Sequence, residues 1–121
     1  MRNHRSLEAW KEGRVVARLA LELCRDHWKP SAAALFSQLQ RSAISIPLNI
    51  AEGYALGDHG RFANHLAIAY GSASETSEIL ELGTEIGALE SSIAAGALEH
   101  CRRCERLLLG LLKKHRPIPT R

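Results

Sequence analysis

The sequence predicts an all-α fold, an antiparallel up-down-up-down four-helix bundle, on three observations. The 121 residues are rich in Ala, Leu, Glu and Arg, the strong helix formers. The four prolines sit at positions 30, 47, 117 and 119 and leave long uninterrupted stretches between them. Apolar and small residues recur every three to four positions along those stretches, the spacing that gathers them on one face of a helix. A chain of this length forms one domain, residues 1–121, and buries enough apolar surface for a core without staples.

The first helix is expected over about residues 6–28, with Trp10, Gly13, Ala17, Ala20, Cys24 and His27 on one stripe. Pro30 ends it, because the residue before a proline is pushed out of the helical region. Pro30 and Ser31 suit the first turn of a second helix, expected over 31–55 with Leu35, Leu39, Ala43, Ile46, Ile50 and Tyr54 inward. After the break in "GYALGDHG", Asp58 is the expected N-cap of a third helix over 59–88, striped by Phe62, Leu66, Ala69, Ala73, Leu80 and Gly87. Ser91 or Ser92 caps a fourth helix over 92–115, striped by Ile93, Ala97, Cys101, Cys104, Leu108, Leu111 and His115. Short connections make such helices antiparallel neighbours.

Helix two carries a second pattern. At 100° per residue Arg41, Ser45, Asn49 and Glu52 share a narrow sector away from the apolar stripe. Pro47 lies among them and removes the N–H that would bond to the carbonyl of Ala43, a site that Ser42, Ser45 or a water is expected to fill. Ile44, Leu48, Ala51 and Ala55 flank the polar sector, so this helix is apolar on nearly every side. On helix three Ile68, Ile79, Leu82 and Ile86 form a second apolar stripe. One bundle covers only one face of each helix, so self-association through helices two and three is expected, with the polar sector as an interface network or groove lining.

Charge is segregated. Residues 1–47 hold 8 Lys/Arg against 4 Asp/Glu, residues 48–99 hold 1 against 8, and residues 100–121 hold 7 against 1. Arg102, Arg103, Arg106, Lys113, Lys114 and Arg116 give the last helix a basic outer face, joined by Arg14, Arg18 and Arg25 of the first. Such a face suits nonspecific contact with RNA or DNA phosphates, or a solubilising or intersubunit role. No aromatic-rich RNA signature or helix-turn-helix turn accompanies it, so base-specific readout is not expected.

Chemistry is sparsely represented. "CRRC" at Cys101 to Cys104 falls mid-helix on the core stripe, where a free cysteine is a small apolar residue; redox or zinc sites need other surroundings. No carboxylate precedes a histidine by three residues, as a di-iron bundle requires, and the Glu75, Glu78, Glu81 and Glu85 band is read as solvated. The six histidines form no nucleophilic arrangement. No catalytic residue, metal or cofactor is assigned; the alternatives are a metal-binding bundle or a structural interaction ring without nucleic-acid binding. Three cysteines without a secretion signal, and no membrane-length apolar run, predict a cytoplasmic protein with reduced thiols.

"LQRSAISIPLNIAEGY" followed by "RFANHLAIAYGSASETSEIL", with Trp10 upstream, resembles the four-helix bundle family encoded in intervening sequences of bacterial large-subunit ribosomal RNA genes. The likeness covers almost the whole chain and rests on Arg41, Ser45, Pro47, Asn49, Ile50, Ala51, Glu52 and Gly53, with Ala69 to Ser72 and Glu75 as a second match; Leu48 departs from the smaller polar residue expected there. It implies a homopentameric ring. It also implies kinship with the accessory proteins of diversity-generating retroelements, basic pentamers that bind a reverse transcriptase and nucleic acid. The combined expectation is a non-enzymatic scaffold or adaptor. Arg41, Ser45, Pro47, Asn49, Glu52 and Gly53 would then organise the interface or groove, and the helix-four cations would meet phosphate.

Overall fold

The computed structural model describes residues 7–115. Four helices follow one another: α1 (Glu8–His27), α2 (Ala33–Ala55), α3 (His59–Glu85) and α4 (Ser91–His115), with a 3-10 turn, Pro30–Ala32, ahead of α2. No strand occurs among the described residues. Each helix packs against its sequence neighbours and α1 packs against α4, so α1 and α3 stand on one diagonal and α2 and α4 on the other. Partners across each seam run in opposite directions, Cys24 with Phe36, Asn49 with His65 and Glu12 with His100. The arrangement is an antiparallel four-helix bundle.

The stops between helices follow from local chemistry. Lys29, ahead of Pro30, is extended at φ −129° and ψ 130°. Pro30 and Ser31 open a 3-10 turn rather than the α-helix expected of them, and α2 begins at Ala33. Asp58 caps α3, accepting from the N–H groups of Gly60 and Arg61 at 2.8 and 3.2 Å. α3 ends at Glu85, short of the expected residue 88, because Gly87 adopts φ +76°. There the Ala88 N–H reaches the Gly83 carbonyl at 2.8 Å and the Gly87 N–H reaches Thr84 at 3.1 Å, the Schellman closure that left-handed glycine permits. Gly87 is therefore a stop signal, not part of a buried stripe. Ser91 is the first residue of α4 rather than its cap, and the Glu90 carbonyl accepts from Ile93 and Ala94.

Two clusters fill the interior. One groups Val16, Ile46, Ile50, Leu66, Cys101 and Leu108 and takes Trp10, Tyr54 and Leu111 at its margin. The other groups Cys24, Phe36, Leu39, Ile79, Leu80 and Leu89. Each large apolar side chain buried in them contributes about 1.5–3 kcal/mol. Ile79 belongs to this core, at 9% exposure, and so leaves the outward stripe in which its spacing had grouped it. Ile68, Leu82 and Ile86 of that stripe remain at 50, 50 and 60% exposure.

Candidate interaction surfaces

The polar sector of α2 meets α3 within one chain. Ser45 and Ser72 share a hydrogen bond of 2.8 Å, and Thr76 Oγ1 lies 2.8 Å from Ser42 Oγ. Asn49 Nδ2 donates to the Ser45 carbonyl at 2.8 Å and to Ser45 Oγ at 2.9 Å. With its NH2 so occupied, Asn49 Oδ1 accepts from His65 Nδ1–H at 2.9 Å, which places a hydrogen on that ring nitrogen. Near the exposed edge Gln38 Nε2 donates to Glu75 at 2.6 Å. This ladder holds two amphipathic helices in one register, since a slip of one residue would orphan every pair.

Of the residues singled out on α2, the structure brings Ser45 and Asn49 into the seam and leaves Arg41 and Glu52 exposed. Gly53 has a different use. A Cβ there would lie 2.5 Å from His65 Cβ and 3.4 Å from Phe62 Cα, so its bareness sets how closely α2 approaches α3. Pro47 is buried against α1, where a Cβ on Gly13 would meet Ile46 Cγ2 at 2.9 Å and Pro47 N at 3.6 Å. The neighbouring hydroxyls turn elsewhere: Ser42 donates to the Leu39 carbonyl at 3.3 Å and Ser45 bonds across to Ser72. Neither takes the site vacated by the proline.

The basic face of α4 divides into two parts. Arg102 pairs with Glu81 of α3 at 2.5 Å, and Arg103 Nε lies 3.7 Å from Glu12 of α1. Arg106, Lys113 and Lys114 are exposed and make no ion pair among the described residues. Arg116 lies outside the described residues.

Glu12 itself escapes a reading by sequence. Its carboxylate is 11% exposed, inside the α1–α4 seam, and accepts a hydrogen bond from His100 Nδ1. The signal available was its spacing, three residues after buried Ala9 and four before buried Val16. Nearby, Ser74 and Ser77 both donate to Glu105 across the α3–α4 seam.

The cysteines are buried and donate to main-chain carbonyls: Cys24 to Phe36 at 3.5 Å, Cys101 to Ala73 at 3.1 Å and Cys104 to Ala9 at 3.7 Å. Burial pushes the Cys24 and Cys101 thiols up to about 11 and Cys104 to about 12. At neutral pH all three are protonated and poor nucleophiles. Among the described residues no group of three or more His, Cys, Asp or Glu is placed to hold a metal ion, and no helix is long and apolar enough to cross a membrane.

An open groove of about 570 Å³ runs along α1 and α2, lined by Ala17, Leu21, Ile44, Pro47 and Leu48 and by the charged residues Arg14, Arg18, Glu22 and Arg25. Leu48 is 60% exposed there, and Arg14 stacks over Trp10 with 5.4 Å from guanidinium carbon to ring centre.

These features define a class: a small helical bundle with tightly keyed seams, inert thiols and uncovered apolar surface on two sides. A family model described as 23S rRNA-intervening sequence protein matches residues 5–110, and the chain belongs to that family. No curated protein matches it.

Proposed function

We propose that this protein is a non-enzymatic, cytoplasmic, self-associating scaffold that offers a basic surface to nucleic acid or to a nucleic-acid enzyme. The observation that carries the reading is the apolar surface left open on two separate faces, Leu21 and Leu48 on one side and Ile68, Leu82 and Ile86 on the other. A monomer gains nothing from such surface, and covering it with further copies removes it from water. The resemblance to pentameric relatives points to a ring of five.

The phosphate-binding part of the proposal rests on Arg106, Lys113 and Lys114, whose charges are not used inside the bundle among the described residues. Arg102 and Arg103 serve the α3 and α1 seams instead, which favours a second reading: a structural interaction ring without nucleic-acid binding. Binding of labelled RNA and duplex DNA at about 50 and about 200 mM salt separates the two, since phosphate contacts lose affinity steeply over that range. Salt-sensitive binding abolished by Lys113→Glu with Lys114→Glu supports the nucleic-acid role. Absence of binding at the lower salt leaves the structural ring.

A further inference from the structure

We infer that the two open faces are the two halves of one contact between copies: the outer ridge of α3 on one copy lies in the α1–α2 groove of the next. The inference rests on the self-association proposed above and names the surfaces that perform it.

Charge and shape fit the pairing. Seven residues separate Arg18 from Arg25 on the groove's edge and Glu78 from Glu85 on α3, a rise of about 10.5 Å in both helices. At 100° per residue, exposed Glu75 lies within the sector of Ile68, Leu82 and Ile86, and Glu78 and Glu85 lie beside it, so the ridge joins apolar side chains to acidic ones on its crest and along one flank. The groove is apolar at Leu21 and Leu48 and net basic, with Arg14, Arg18 and Arg25 against Glu22 in its lining. Arg18, Glu78 and Glu85 make no ion pair among the described residues, and Arg25 meets only its exposed neighbour Asp26. A single convex helix laid into a cleft between two others is an established mode of helix recognition.

Direction and level fit as well. α1 and α3 both run opposite to α2, so the two charge pairs match in parallel alignment. Within one chain Cys24 is level with Phe36, and Gly83 is level with Leu35. Arg25 and Glu85 therefore sit within about two residues of the same height, an axial offset of about 3 Å. Joining them across copies needs rotation about an axis along the helices and almost no translation, which closes a ring instead of winding a filament. The two faces differ, so the contact is head-to-tail: every copy gives its ridge to one neighbour and its groove to another.

A charge swap tests this. Arg18→Glu with Arg25→Glu, and separately Glu78→Arg with Glu85→Arg, should each drop the wild-type assembly to the mass of one chain, 13.3 kDa, with helical content by circular dichroism unchanged. All four substitutions in one chain should restore the wild-type mass. Leu48→Asp, on the groove floor, should dissolve the assembly without rescue by the acidic-to-basic change. The pairing is overturned if the wild type assembles while either reversal leaves its mass unchanged, or if the folded fourfold variant stays at one chain. A wild type that is itself a single chain overturns the self-association beneath it as well.

Discussion

Asn49 on α2 and His65 on α3 are joined by a 2.9 Å hydrogen bond, and the same asparagine clamps Ser45 one turn earlier in its own helix. The most motif-like residue of the chain thus works first inside the subunit. Asn49→Ala strands the His65 N–H in a half-buried seam, and we expect a loss of about 1–3 kcal/mol in denaturant unfolding. Asn49→Asp, which keeps an acceptor for His65, should lose less.

Two glycines should respond oppositely to one methyl group. Gly53→Ala places a Cβ 2.5 Å from His65 Cβ and must push α2 from α3, an overpacking cost of about 1–3 kcal/mol. Gly96 on α4 faces open space, so Gly96→Ala should raise stability by up to about 1 kcal/mol through helix propensity. Thermal melts of the two variants beside the wild type check both signs.

The thiols should be silent in the folded protein. Maleimide labelling at neutral pH is expected to modify none of Cys24, Cys101 and Cys104 until denaturant is added, when all three should react.

Acid should weaken the bundle in two stages. Burial, with His59 and Lys114 nearby, holds His115 below its ordinary value as it stacks on His59 and meets Phe62 edge-on. The unfolded chain then takes up a proton first, so stability falls as pH drops from about 6.5 toward the lower folded value. Asp58, held low by the Arg61 and Gly60 N–H groups it caps, gives stability that is present above its ordinary value and lost as pH falls through the folded one. His115→Gln should flatten the first stage of a stability–pH profile and leave the second.

The fold was legible because its signals are local. Pro30 displaces Lys29 from the helix and Asp58 caps α3, each within a few residues of the boundary it sets. The apolar stripes placed Leu39, Ile46, Leu66 and Leu108 in the core by spacing alone. What could not be read depends on residues far apart. Glu12 and His100 lie 88 positions apart, and only the packing of α1 on α4 makes them partners. The same packing pairs Arg103 with Glu12, as α3 pairs Arg102 with Glu81, although both guanidinium groups stay exposed. The polar sector of α2 was visible as a pattern, but not its facing element; Ser72 and His65 supply that. Ile79 went astray because helical phase leaves an edge position undecided between core and surface until the neighbouring helix is in place.

Light scattering of the wild-type chain, over a dilution series through the micromolar range, tests self-association most directly. We predict a mass several times 13.3 kDa that persists on dilution and declines as salt screens the arginine and glutamate flanks. A mass of 13.3 kDa at every concentration would contradict it and leave the exposed leucines and isoleucines of α1, α2 and α3 without the role assigned to them.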